Sequence, residues 1–261
     1  MSVNWPAMTS VITALTAVGA LIFTALSLNA TRAQVALSEQ GQVTGRFTTA
    51  VEELDKGGGE HLQARLGALY SLERLAHDSP RDQPTIIEVI SAFVRTIAPL
   101  PSTRQGSCPW PGADVQAALT ILGRRDVSQD HGAYINLART CLSGTSLRGA
   151  DLAYGSLAGA KIEEVDLTDA NLTGTSLRDA SLRRAILTNA NLSHLNGDNA
   201  NFYWAALDQT DFTGSSLYGA DFTISFGTRT NFNDASLTNA KHDHASFYDT
   251  ISNRGTQDKW W

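Results

Sequence analysis

Among side chains able to do chemistry, the densest cluster is His242-Asp243-His244, with Asp249 five residues further on. Alternate residues of a short strand point the same way, so the two imidazoles can converge. A third ligand is out of reach in sequence, and a zinc-like site needs three or four. The cluster is therefore expected to mark a fraying or capped chain end. Glu163-Glu164 are neighbours whose side chains diverge, so they make no acid/base pair. Arg124-Arg125 and Arg183-Arg184 are the adjacent basic pairs and read as solvated positions or a helix end. Cys108 and Cys141 are far apart and form no C-x-x-C unit, which predicts neither a disulfide framework nor a cysteine zinc site. Cys141 is expected to be an unactivated thiol facing outward, in a reducing or indifferent compartment. Glu73, Arg74, His77 and Asp78 lie where an enzyme would have to build its site. Salt bridges on an amphipathic helix account for the same residues, and Glu73, Arg74 and Asp78 stand as candidate docking residues. Phosphate-loop, nucleophile-elbow, zinc-protease and dinucleotide motifs do not occur. No catalytic, cofactor-binding or metal residue is assigned, and no cofactor is expected.

The elements that must carry these residues fall into zones of unlike composition. The chain has 261 residues, 42% hydrophobic and 18% charged, with 26 acidic against 20 basic side chains and a net charge of -6. That balance argues against disorder and against a basic nucleic-acid surface. From Met1 to Thr31 there is no charged residue, and residues 7–28 are mostly Ala, Val, Leu, Ile, Phe and Thr. About 20 such residues span the roughly 30 Å hydrocarbon core as a helix, with Trp5 where an interfacial anchor would sit. A cleaved signal would want basic residues before the run and a small residue where Leu28 stands in Leu28-Asn29-Ala30, and a buried soluble helix is the third reading. The segment 1–31 is predicted to be a transmembrane anchor. Arg32 and Arg46 follow it and no Lys or Arg precedes it, which places the C-terminal domains in the cytoplasm by the positive-inside rule.

Residues 32–134 read as a helical connector. A segment begins near Ala33 and ends at Gly57-Gly58-Gly59. Leu62, Leu66, Leu69, Leu72 and Ala76 form one apolar stripe, and Ile86, Ile90, Phe93, Val94 and Ile97 another. A third run, Val115, Ala118, Leu119 and Leu122, follows Asp114 as a predicted N-cap. Four helices after the membrane span are expected. Pro109-Trp110-Pro111 lies in the intervening loop as a stiff spacer.

From Leu137 onward a period of five takes over. Of the 23 positions 137, 142, 147 and so on to 247, 20 are Leu, Ile or Phe, the exceptions being Gly197, Gly227 and His242. Three residues after each centre, Ala, Thr, Ser or Gly fills all but Val165 and Leu195 of the 23 positions from 140 to 250. A five-residue stripe drifts round a helix and reverses on a flat strand. It shares one core only if the chain turns a corner each repeat and stacks its turns at the β-spacing, a β-solenoid. Residues 135–251 are assigned to it and 252–261 to a C-terminal tail or cap. Lys259-Trp260-Trp261 is expected to cover the last coil. The two central glycines leave holes that Leu195 and Phe226 are predicted to fill.

The quartets Gly149-Ala150-Asp151-Leu152, Asp169-Ala170-Asn171-Leu172, Asn189-Ala190-Asn191-Leu192 and Gly219-Ala220-Asp221-Phe222 resemble the pentapeptide-repeat family, over roughly 135–250. Gly41-Gln42-Val43-Thr44, Leu72 to Pro80, Glu88 to Arg95 and Asp114 to Leu119 are similar to blocks of actinobacterial membrane-linked members of that family. The resemblance implies a right-handed, four-sided β-helix with four repeats per coil, hence about six coils and a rod about 28 Å long. Read at twenty-residue steps, Phe202 and Phe222 share a core column that His242 continues. Leu152, Leu172 and Leu192 precede Phe212 and Phe232 in another. A mixed fold follows, with a transmembrane helix and helical connector ahead of the β-helix. The expected role is a membrane-tethered cytoplasmic scaffold without catalytic activity, held in the membrane by residues 7–28 and serving an unidentified protein partner. The family's quinolone-resistance branch suggests a DNA mimic as the alternative. Residues 135–261 carry 14 acidic and 10 basic side chains, with Arg148, Arg178, Arg183 and Arg184 among them, a weak charge for mimicry. An enzyme sited in the helical zone comes third.

Overall fold

The computed structural model describes residues 5–101, 108–253 and 255–260, without the side chains of 5–12, 14, 15 and 17. The chain forms two compact units, Met1–Thr48 and Thr49–Trp261. Helix α1 runs Trp5–Leu54 without a break, so the segment from Ala33 is no separate helix. Nothing between Leu28 and Val35 stops it: the residues are helix-tolerant, and Gly41 and Gly45 each cost only about 1 kcal/mol. The side chain of Trp5 lies outside the described residues. Val18, Leu21, Ile22, Phe23 and Leu26 are all exposed. Hydroxyls in this stretch are satisfied within the helix, as where Thr24 donates to the Ala20 carbonyl at 2.8 Å. Among the described residues α1 is the one helix long and apolar enough to cross a membrane, by length and composition.

Helices α2 (Leu62–Asp78), α3 (Gln83–Ile97) and α4 (Ala113–Gly123) pack pairwise. Leu69, Leu72 and Leu75 of α2, Ile86, Ile90 and Val94 of α3 and Val115, Leu119 and Leu122 of α4 form their buried faces. Asp114 is not the N-cap of α4. Gly112 takes that place, and Asp114 sits inside the first turn, buried, receiving Arg65 Nε at 2.7 Å. Arg65 Nη1 also donates to the carbonyls of Lys56 and Gly58, each at 2.8 Å. One buried guanidinium thus fastens the α1–α2 link to α4.

From residue 136 the chain coils with a register of twenty: Asn136 pairs in parallel with Ser156, Cys141 with Lys161, Ser146 with Asp166 and Asp151 with Asn171, and the pattern continues upward. This is a β-solenoid with four five-residue units per coil. Each unit turns where the residue two after its centre takes positive φ, for example Gly149 (64°), Asp169 (60°) and Asn189 (59°). Gly, Asp and Asn tolerate that conformation best, which is why they recur there. Leu152, Leu172, Leu192, Phe202, Phe212, Phe222 and Phe232 are all at most 1% exposed. Phe202 and Phe222 stack at 5.0 Å between centroids and Phe212 and Phe232 at 5.1 Å, the two columns meeting edge to face. Several inner hydroxyls bond to the backbone of the coil, as Thr175 Oγ1 to the Leu152 carbonyl at 2.8 Å and Thr210 Oγ1 to the Leu187 carbonyl at 2.9 Å.

The central glycines resolve differently. Leu195 is buried, its Cδ1 2.7 Å from where a Gly197 side chain would start, so it fills that gap. Phe226 does not fill the other. It lies on strand β1 (Phe226–Thr228), paired in parallel with β2 (Ser246–Tyr248), and is 41% exposed. The coil draws in at Gly227, where an added Cβ would collide with Thr230 Oγ1 and lie 2.8 Å from the Leu207 carbonyl, so no hole exists. Phe226→Ala is accordingly expected to change unfolding free energy by less than about 0.5 kcal/mol in urea denaturation.

Both ends of the solenoid are closed. At the start, each of the four units of the first coil receives a partner from the helical region. Arg95 Nη1 donates to Asn136 O at 2.6 Å, and Cys141 N donates to Ala98 O at 2.8 Å. The Gln116 side-chain amide bonds both ways with Ser146, and Asp151 N donates to Gly123 O at 2.8 Å while Arg125 Nη1 donates to Asp151 O at 2.6 Å. The helices α2–α4 therefore share one compact unit with the solenoid and supply the edge pairing that an open coil lacks. At the far end Gln257 bridges to Ser236, and Trp260 packs on Phe222 (5.7 Å) and Phe232 (6.2 Å) while stacking on His242 at 4.8 Å. His242 is exposed and joins the cap instead of extending the phenylalanine column inward. Trp261 lies outside the described residues. Trp260→Ala is expected to remove about 2 kcal/mol, a thermal midpoint fall of roughly 4–8 °C by calorimetry.

Candidate interaction surface

With both ends covered, the sides of the solenoid are its accessible surface. At twenty-residue steps two columns of outward strand positions are mostly small and polar. One column runs Asp151, Asn171, Asn191, Asp211, Asn231, cross-linked by Asn171 Nδ2 to Asp151 Oδ2 at 2.9 Å and Asn231 Nδ2 to Asp211 Oδ1 at 2.9 Å. Another runs Asn136, Ser156, Ser176, Asn196, Ser216, Ser236. These short side chains offer little anchor area.

One corner differs. At twenty-residue steps its positive-φ position holds Gly144, then Glu164 (55°), Arg184 (59°), Trp204 (56°), Ile224 (60°) and His244 (57°). Five successive coils there forgo Gly, Asn and Asp. A large L-residue in this region is disfavoured by about 1–2 kcal/mol, and a β-branched one such as Ile224 is an outlier. The side chains run continuously along the rod. Glu164 Oε1 accepts from Arg184 Nη1 at 3.1 Å, Arg184 lies 4.7 Å over the Trp204 ring, and the adjacent Arg183 lies 4.9 Å over Tyr203. Beside it the outward strand positions become apolar, Ile186 pairing with Ala206 and Ala206 with Phe226. Ile186, Trp204, Ile224 and Phe226 are exposed. Glu163 accepts from Ser181 Oγ at 2.6 Å and stands apart from Glu164.

In the helical region Glu73 is held by Arg124, Nε to Oε1 at 2.7 Å and Nη2 to Oε2 at 2.8 Å. That hydrogen bond and the carboxylate charge raise the Arg124 guanidinium above its ordinary value. Glu73 lines a cleft of about 310 Å³ with Ile86, Ile87, Ile90, His77 and Arg124. Arg74 and Asp78 pair with each other at 3.6 Å and do not line it. The three candidate docking residues are thus split between cleft wall and helix surface. His242, His244 and Asp249 make no metal-binding group of three among the described residues.

The cysteines overturn the expectation set for them. Cys108 and Cys141 are joined as a disulfide with Cα atoms 5.4 Å apart, and Cys141 is 1% exposed. Residues 98–100 pair antiparallel along 139–141, through Pro99 with Thr140 and Leu100 N to Arg139 O at 2.7 Å. This brings the α3–α4 loop across an outward thiol and seals it. The Arg183–Tyr203 and Arg184–Trp204 contacts were not singled out from sequence either, although a twenty-residue column would align them.

A family model described as pentapeptide repeats matches residues 134–169, 166–196 and 198–223, in 8 copies. No curated protein matches the chain. Among solved structures, a pentapeptide repeat protein of the Arabidopsis thaliana thylakoid lumen is 34% identical over 34% of this chain and 63% of its own, at a TM-score of 0.34. The chain thus spans less than two thirds of that relative. HetL, a pentapeptide repeat protein involved in heterocyst differentiation regulation from the cyanobacterium Nostoc, is 25% identical over 44% of this chain and 76% of its own, TM-score 0.24. Full-length QnrB1, a plasmid-mediated fluoroquinolone resistance protein, is 15% identical over 47% of this chain and 78% of its own, TM-score 0.24.

Proposed function

We propose, from the premise that the chain belongs to the pentapeptide-repeat family through residues 134–223, that it is a non-catalytic, membrane-tethered interaction module. Its solenoid is a right-handed, four-sided rod that engages a protein partner along one corner. The carrying observation is the column Glu164, Arg184, Trp204, Ile224, His244, which accepts unfavourable backbone in five coils to project large side chains. Strain kept at one corner and relieved by Gly, Asn or Asp at most positions of the others marks a surface selected for contact. Arg, Tyr and Trp are also the residue types that anchor interfaces. The exposed apolar stretch of α1 supports the tether. Glu73, engaged by Arg124, is not a free base, which supports the absence of catalysis in the cleft.

The test separates folding from binding. Ile224→Gly relieves the corner and should hold or raise stability by up to about 1 kcal/mol, yet weaken capture of the partner. A photo-crosslinker at Trp204 of the full chain in carbonate-washed membranes should label a defined partner that one at Asn191 does not. Equal labelling from both positions, or extraction of the chain by carbonate, overturns the reading.

A further inference from the structure

We infer that Cys108 and Cys141 are an oxidative modification site, and that the folded unit carrying them lies on the oxidising side of the membrane. The inference rests on the tethered reading for the presence of a membrane, and on the disulfide for the side. In the column of Cys141 the following coils carry Lys161, Ser181, Asn201, Asp221 and Lys241, all polar side chains at an outward position. Only on the first coil is that position a cysteine, and only there is it covered, by residues 98–100 and the returning loop. Trp110, two residues beyond Cys108, lies in contact distance of the Gly144 turn, next in the same unit, so the loop is held on both sides of the bond. The chain keeps no free thiol.

Cytosolic glutathione and thioredoxin keep such pairs reduced, whereas secreted and periplasmic chains keep them bonded. The opposing indication is two arginines, Arg32 and Arg46, after the apolar stretch, with Arg46 18 residues beyond Leu28 at the margin of the region that the charge rule counts. A buried covalent bond is the stronger constraint. The chemistry balances as thiol–disulfide exchange with a disulfide-bonded oxidoreductase. One cysteine thiolate attacks the donor disulfide to give a mixed disulfide and release a donor thiolate. The second cysteine thiolate displaces the other donor sulfur. The two protons from the cysteines pass to the donor, which leaves as a dithiol carrying the two electrons. The partner of the corner is then an extracytoplasmic or surface protein.

Full-length protein in intact cells is quenched in acid, and its thiols are tagged with a gel-shifting maleimide-polyethylene glycol, with and without prior reduction. Cys108→Ser provides the one-thiol marker under the same denaturing conditions. Protease is added in parallel to spheroplasts. The expected result is a carbonate-resistant protein with no adducts before reduction and two after, cleaved by external protease. Two adducts without reduction and protection from protease, in a protein that still pellets with membranes, overturn this inference and leave the tether standing. Release by carbonate overturns the tether, and the assigned side with it.

Discussion

Asp114→Ala is expected to cost roughly 3–5 kcal/mol, because it strands the Arg65 guanidinium in the interior. The pair is 2.7 Å apart, with both side chains 7% exposed or less. Arg65 would keep its two carbonyl acceptors on Lys56 and Gly58 and lose the countercharge. The companion experiment removes both charges: Arg65→Met with Asp114→Leu should recover most of the loss, since a buried pair repays little more than its own desolvation. Urea denaturation followed by circular dichroism checks both. A single-mutant loss under about 1 kcal/mol would mean that water reaches the pair.

Phe222→Ala should cost a comparable 3–5 kcal/mol. Its ring touches Phe202, Phe212, Phe232, Phe247 and Trp260, so one truncation opens both aromatic columns and undermines the cap. Phe222→Leu should cost less than about 1.5 kcal/mol, since Leu182 already serves two coils earlier in the column. Nearest-neighbour coupling in a solenoid confines the damage at first. Hydrogen exchange should therefore rise in coils after residue 200 before it rises near Leu152. Uniform acceleration along the rod would contradict this local picture.

The solenoid was legible because its signal is redundant: 20 of 23 centres obey the pattern, so Gly197, Gly227 and His242 could not hide it. What failed were inferences that assumed an ideal cross-section. Phe226 was assigned to a gap that the backbone closes by itself at Gly227. Cys141 was read as outward, which its position in the repeat is, but nothing periodic reveals that residues 98–100 fold back over it. The break expected before Ala33 rested on a change of composition, and composition alone does not stop a helix. The ends were legible only in part. Trp260 was expected to cap the last coil, whereas the roles of Arg95, Gln116 and Arg125 depend on where α3 and α4 place them. Of the candidate site, Arg183 and Arg184 were visible as a basic pair. Their aromatic partners twenty residues on become partners only through the coil register.

The twenty-residue register also quantises change in length. Removing five residues from the middle of the rod keeps the period and the core pattern of Leu and Ala intact, yet it turns everything downstream by one side. A deletion between residues 184 and 203 would carry Tyr203 and Trp204 away from Arg183 and Arg184, and one between residues 212 and 222 would break both phenylalanine stacks. Only insertions or deletions of a whole coil leave both caps and the projecting corner aligned, so the solenoid's length between its caps can vary only in steps of twenty.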